Sequence, residues 1–315
     1  MKNIKIYNKD SKEISKFVKD KVQFIVFSPP YWNLRNYKID NQIGFKQTYD
    51  EYLNSMFSVF KECYSVLDEG RFMAINIGTV VSDEGMKFIC GDFITIAKKA
   101  KFIFKKDIIW HKPKGTTKWQ RGATQFTQNP YPLKYNTNIN HEFILIFQKE
   151  GKLKEKSNKK VRPFNKIFTR EMAYSVWDII PINSPKLDEK HVAPYPEEIP
   201  NRLIKLYTYP NEIVLDPFAG SGTTNKVAYE LGRKSIAVEL SKTYCDLINK
   251  KIKNVKFNSY NSEEIYSESL ELQLSKIDEK INKAKKNVKK FELSRKKFLE
   301  KNKKTIKIKQ PELFD

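Results

Sequence analysis

Twice along this chain an apolar strand ends on a polar residue and leads through a turn into an amphipathic helix and a second strand, and that alternation limits the fold more than any other feature. Near the start, "IKIYN", "SKEISKFVKD" and "VQFIVF" read strand, helix, strand, the last ending at Ser28. Farther on, "EIVLD" ends at Asp216, the turn "PFAGSGTT" and the helix "NKVAYELG" follow, and "KSIAVE" ends at Glu239. Periods that alternate this way need crossover connections, hence an α/β fold with a largely parallel sheet and helices on both faces. At 315 residues the chain can bury a full core around such a sheet and carry an insertion as well.

Between the two units a helix is expected from about Asp50 to Leu67. Thr48 caps it, Glu51 reaches back, and Leu53, Met56, Phe57, Phe60, Tyr64 and Leu67 form its apolar stripe. "GRFMAINIG" reads as a buried strand, "MKFICGDFITIAKKA" as a helix and "FIFKKDIIWHKP" as the next strand. From Lys112 to His141 neither period holds, and so long an irregular stretch inside a compact domain points to function. "HEFILIFQK" returns to the sheet, "KLKEKSNKKVRPFNK" is a basic, exposed insertion, and "WDIIPINSPKLDEKHVAPYPEEIP" is coil leading into the helix "NRLIKLYT".

Past about Asn258, the residues Leu270, Leu274, Ile277, Ile281, Ala284, Val288, Phe291, Arg295 and Phe298 fall on a heptad seam. This basic helical tail either packs back on the domain or serves as a coiled-coil or DNA-facing arm. The expected divisions are 1–111, 112–176, 177–257 and 258–315.

A formal charge of +22 calls for a polyanionic partner, nucleic acid first. A Lys-, Ile- and Asn-rich proteome gives the same sum, so motifs must decide. Cys63, Cys90 and Cys245 lack Cys-x-x-Cys spacing, which argues against a disulfide framework or a zinc site and for a reducing cytoplasm. No metal is expected. With no signal-like apolar region at "MKNIKIYNKD" and no run near the ~18 apolar residues of a span, a membrane partner is not expected either.

In "DPFAGSGTT", Gly220 and Gly222 would let backbone come close to a ligand at a strand-to-helix bend. A phosphate-cradling loop needs Gly-Lys-Ser/Thr, and Gly222-Thr223-Thr224 has no lysine; a dinucleotide turn needs a third glycine. An adenosyl ligand remains, with Glu239 placed to accept from two ribose hydroxyls.

"SPPYW" followed by "DPFAGSGTT" resembles the β-group amino-methyltransferases of DNA, which carry a Ser/Asp-Pro-Pro-Tyr motif before their S-adenosylmethionine motif. The likeness runs from about Ile4 to Lys250 and takes in "WHKP" and "WDIIPINSP". It implies a Rossmann-like methyltransferase sheet with circularly permuted motif order, an inserted target-recognition region, and S-adenosyl-L-methionine as cofactor. It also implies double-stranded DNA as partner, a cognate restriction endonuclease, and the cytoplasm of a bacterium or a phage host. By the same resemblance Asp216, Pro217, Phe218, Gly220, Ser221, Gly222 and Thr223 line the cofactor, and Glu239 holds its ribose. Asp10 contacts the adenine, although Lys9 stands where the family has glycine. His191, Ala193 and Pro196 match the segment that closes the methionine end.

An exocyclic base amine is a poor nucleophile because its lone pair is delocalised into the ring, so acceptors aimed at its hydrogens must favour a tetrahedral nitrogen. Ser28 Oγ and the Pro29 carbonyl are those acceptors, Pro30 stiffens the turn, and Tyr31 stacks on a base flipped from the duplex. Methylation at cytosine carbon 5 needs a cysteine nucleophile, typically after a proline, and no cysteine here follows one. Ser rather than Asp at position 28 favours cytosine N4, with adenine N6 as the alternative.

Trp32, Arg35, Lys112, Lys114, Lys118, Trp119, Gln120 and Arg121 are the expected DNA contacts. The terminal "QPELFD" resembles a sliding-clamp docking peptide through Gln310, Leu313 and Phe314. A catalytically idle DNA-binding or clamp-tethered protein on the same fold is the rival reading, and the intact Ser28–Tyr31 and Gly220-x-Gly222 speak against it.

Overall fold

The computed structural model describes residues 3–33, 41–82, 85–117, 120–154, 164, 166–182, 195–253, 255–257, 281–282, 285–298 and 300. Two compact units are separable, Met1–Ser259 and Tyr260–Asp315. In the second, residues 285–298 are helical, and Val288, Phe291 and Phe298 are exposed.

The first unit is built on one eight-stranded sheet. Its strands are β1 (Ile4–Tyr7), β2 (Val22–Phe27), β3 (Leu67–Ile77), β6 (Ile103–His111), β7 (His141–Gln148), β8 (Val176–Asp178), β9 (Ile213–Asp216) and β10 (Lys234–Val238), with β4 (Val80–Ser82) and β5 (Gly85–Lys87) forming a separate hairpin. The order is β1-β10-β9-β2-β3-β7-β6-β8. β7 runs antiparallel to both of its neighbours, and every other pairing in this sheet is parallel.

β2 reads as an unbroken apolar run because both of its faces are buried. Ile25 and Phe27 enter the core under α1 (Ile14–Phe17), α2 (Tyr49–Val66) and α3 (Ile89–Lys99). Phe24 and Val26 enter the opposite core with Ile199, Leu203 and Ile204 of α6 (Glu198–Tyr207) and Val227 and Ala228 of α7 (Thr223–Glu230). α8 (Lys242–Lys253) packs Ile248 and Ile252 against Ala219 and Ala237.

The expected capping box of α2 is present: Thr48 Oγ1 accepts from the Glu51 amide, and Glu51 accepts from the Thr48 amide at 2.8 Å. The buried face of that helix is Tyr52, Met56, Val59, Phe60, Cys63 and Val66, whereas Leu53, Phe57 and Tyr64 are half-buried. Three expectations are corrected. α3 begins at Ile89, since Met86 belongs to the β4–β5 hairpin and is 58% exposed. The irregular stretch after Lys112 contains α4 (Arg121–Gln128), which has no apolar stripe because Ala123 alone among its described side chains is buried. Just past the basic insertion stands α5 (Lys166–Met172), which shares only Lys166 with it. Trp177 and Asp178, expected as coil, belong to the edge strand β8, which pairs with β6 and buries Trp177. No helix among the described residues is long and apolar enough to cross a membrane.

Candidate active site

Connections leave β9 and β2 in opposite directions along the sheet: β9 passes through α7 to β10 on one side, and β2 passes through α2 to β3 on the other. The two strands are neighbours, Phe24 opposite Val214 and Ile25 opposite Leu215. At such a switch point the loops beyond the carboxyl ends of the strands part and leave a crevice. Here it is a cavity of about 940 Å³. Ser28, Pro29, Pro30 and Tyr31 line it from the end of β2, Asp216 to Ser221 and Thr223 from β9, Glu239 from β10, and Asp10 and Ser11 from β1. Two motifs about 190 residues apart in sequence therefore share one pocket.

On the β9 side, the Asp216 carboxylate accepts from the Phe218 amide at 2.9 Å and also meets Thr224. Burial, followed by the nearby Glu239 carboxylate, pushes Asp216 up to about 7. Glu239 accepts from the Gly220 and Ser241 amides, both at 2.8 Å, and burial raises its pKa. Asp10 caps the 3-10 turn that follows β1, accepting from the Lys12 amide at 2.9 Å. A Cβ on Gly220 would meet only Phe218 O, at 3.9 Å, so this backbone is open to a ligand. Gly222 differs: it caps α7 at φ +78°, and a Cβ there would lie 2.8 Å from Ile248 Cγ1. Its glycine serves the packing of α8, which corrects the expectation that both glycines face the ligand.

On the β2 side, the Tyr52 hydroxyl donates to the Pro30 carbonyl at 3.0 Å and holds the turn in which Pro29 lines the cavity. The Tyr31 ring is half-buried, and its hydroxyl donates to Glu142 Oε2 at 3.1 Å while accepting from the Gly78 amide at 3.2 Å. Ser28 also bonds this hydroxyl, and burial, then Glu142, raises the phenol well above its usual range. Glu142 stands at the start of β7, in the sheet beyond β3. Asn76 Nδ2 donates to its Oε2 at 2.7 Å and Lys112 Nζ to its Oε1 at 2.5 Å. A carboxylate only accepts, so it draws the Tyr31 proton to itself. The Tyr31 oxygen then receives the Ser28 proton, and the Ser28 lone pairs are left for whatever enters the cavity.

Glu142 and Asn76 also line the cavity, and no contiguous motif marks either. Their sign in the sequence is an amide set among the apolar residues 72–77 of β3 and a carboxylate just ahead of the apolar run of β7. Lys112, expected on DNA, is instead 18% exposed inside the cavity, paired with Glu142 and 4.6 Å from the Trp110 ring centroid. Trp32 turns inward, its indole N–H donating to the Gln47 carbonyl at 2.9 Å and its ring edge-on to Tyr49. Lys114 is exposed, Gln120 lines the cavity, and Arg121 opens α4. Arg35, Lys118, Trp119, His191, Ala193, Gln310, Leu313 and Phe314 lie outside the described residues.

A switch-point crevice with buried carboxylates on one side and a stiff Ser-Pro-Pro-Tyr turn on the other defines a class of Rossmann-like group-transfer enzymes. Residues 22–250 match the N6/N4 DNA methylase family, and the chain belongs to it. Among its relatives, the Type II methyltransferase M.MjaI of Methanocaldococcus jannaschii is 29% identical over 283 residues, covering 79% of this chain and 91% of that protein. M.Cfr9I of Citrobacter freundii is 28% identical over 257 residues, covering 72% and 79%. In fold the chain is similar to the protein TTHA0409 of Thermus thermophilus in complex with S-adenosyl-L-methionine, with TM-score 0.64 at 24% identity over 81% of this chain and 95% of that one. It is also similar to the PvuII cytosine-N4-specific DNA methyltransferase, with TM-score 0.62 at 19% identity over 84% and 90%.

Proposed function

We propose that this methylase transfers a methyl group from S-adenosyl-L-methionine to the N4 amine of a cytosine turned out of double-stranded DNA. The observation that carries the reading is the meeting of Ser28 and Tyr31 with Asp216 and Glu239 around one cavity. Its β9 side fits an adenosyl ligand: an open Gly220, and a Glu239 carboxylate oriented by two amides as an acceptor for ribose hydroxyls. Asp216 and Glu239 together favour a cation, and Asp10 serves the adenine. When bound, S-adenosyl-L-methionine supplies an electrophilic methyl on a sulfonium.

The chain's own residues prepare the nucleophile. Ser28 Oγ and the Pro29 carbonyl accept the two amine hydrogens and draw the lone pair out of the ring. Tyr31, anchored by its hydroxyl, presents a fixed ring face to the base. Residues 112–140 supply one wall of the cavity through Lys112, Gln120, Gly122, Asn136 and Thr137, which supports a target-recognition role for that region. A cognate restriction endonuclease is the partner suggested by the Type II setting of the relatives.

Nucleoside mass spectrometry of DNA from cells expressing the protein tests the reading. N4-methylcytosine is expected; N6-methyladenine alone overturns the choice of base, and no methylated base overturns the enzyme.

A further inference from the structure

The loop after α4 ends in an apolar tip that the cavity does not use. Leu133 is 104% exposed, and its φ of +67° is a conformation that a side chain other than glycine or asparagine rarely adopts. Tyr131 and Tyr135 beside it are 64% and 73% exposed.

The tip is nonetheless built. Pro130 and Pro132 stiffen it, and the Lys134 amide donates to the Tyr131 carbonyl at 3.2 Å to close a turn. Tyr135 packs edge-on against Phe126 of α4, with ring centroids 5.3 Å apart. The loop then turns into the cavity wall at Asn136 and Thr137, with Asn136 so close to Gly122 that a Cβ there would collide with its Nδ2. Three residues of chain span at most about 10 Å, so Leu133 lies within that reach of the cavity wall at Asn136. Lys134 places a cation beside it, its Nζ 5.8 Å from the Tyr131 ring centroid. An apolar point beside a cation, on a chain of formal charge +22, suits a polyanion with an apolar interior, which is duplex DNA.

We propose that Leu133 is a wedge that enters the base stack and fills the space left by the target base as it turns into the cavity. Apolar side chains at strained or proline-stiffened tips can part base steps, and a flipped base leaves a gap that costs stacking unless something fills it. Leu133 keeps its strained conformation because the fold presents it outward for that gap. The proposal rests on the cavity being the base pocket.

The test uses the full chain and an oligonucleotide duplex carrying the modified site, mapped beforehand by sequencing DNA from expressing cells. Methyl incorporation is measured with the target base paired and with it opposite an abasic position, where little unpairing is needed. Leu133→Ala is expected to slow methylation of the paired duplex by about tenfold or more and to stay within about threefold of wild type on the unpaired one, with the KM for S-adenosyl-L-methionine unchanged. Leu133→Gly should melt at a higher temperature than wild type, because glycine accepts φ +67°, while losing the same activity.

Equal rates for wild type and Leu133→Ala on the paired duplex overturn the wedge, as does an equal loss on both duplexes. Dissociation of an oligomer on Leu133→Ala, seen by sedimentation, also overturns it and assigns the tip to a protein contact. Should DNA from the expressing cells carry no modified site, the base-pocket reading falls and the wedge with it; a normal wild type beside an indifferent variant removes the wedge alone.

Discussion

Glu142 is the residue that organises the β2 side of the pocket. It receives three side-chain donors, and its carboxylate sets the direction of the chain of hydrogen bonds from Ser28 through Tyr31. Glu142→Gln keeps the shape but brings an amide N–H₂ against groups that are themselves donors. Turnover should fall at least about tenfold, with the Kd for S-adenosyl-L-methionine within about threefold. Calorimetric titration beside single-turnover methylation separates the two, and an equal loss in both would place Glu142 with the cofactor instead. Ser28, Tyr31, Asp216 and Glu239 were legible in the sequence because each sits in or directly closes a contiguous motif on an apolar strand. Glu142 was not, because its partners Lys112, Asn76 and Tyr31 lie 30, 66 and 111 positions away and only the sheet order brings them together.

Among the elements, those with strong periodic burial were readable and those held by context were not. β2, β9, β10 and the capping box of α2 announce themselves through local pattern. α4 has almost no apolar face, and the three-residue β8 is a strand only because β6 lies beside it. The two glycines of the β9 turn look alike in sequence and differ in the fold, and the junction of α7 with α8 is where that difference is measurable. Gly222→Ala sets a Cβ against Ile248 at a left-handed φ and should destabilise by about 2 kcal/mol or more, whereas Gly220→Ala should cost about 1 kcal/mol in stability and act mainly on cofactor affinity. Denaturant unfolding of both variants, with Gly222→Ala/Ile248→Ala as a partial rescue, checks this; equal unfolding midpoints would mean that α8 does not constrain the turn.

For the whole molecule, the raised Asp216 links stability to pH. Its folded pKa of about 7 lies above the unfolded value of about 3.9, so the stability it contributes is complete below pH ~4 and is lost as pH rises toward 7, by on the order of 4 kcal/mol in the ligand-free protein. A cationic cofactor favours the ionised form, so its binding should tighten from pH 6 to 8 and release a proton near neutrality. Thermal melts of wild type and Asp216→Asn from pH 5 to 8 test the first part, and calorimetry in buffers of different ionisation enthalpy tests the second. Parallel melting curves for the two proteins would overturn the assignment.

The pairing of β2 with β9 carries a further consequence for synthesis. Phe24 and Ile25 meet Val214 and Leu215 across about 190 residues of chain, and among the described strands β1 pairs with β10 alone. At translation rates of roughly 5–20 residues per second, the apolar edge of β2 waits some ten to forty seconds for its neighbour to leave the ribosome. The Ser-Pro-Pro-Tyr turn is therefore synthesised well before the β9 and β10 side of the cavity. A nascent or truncated chain carries a sticky strand edge but no pocket, so chaperone occupancy on the ribosome and methyl transfer should follow opposite courses as the chain lengthens.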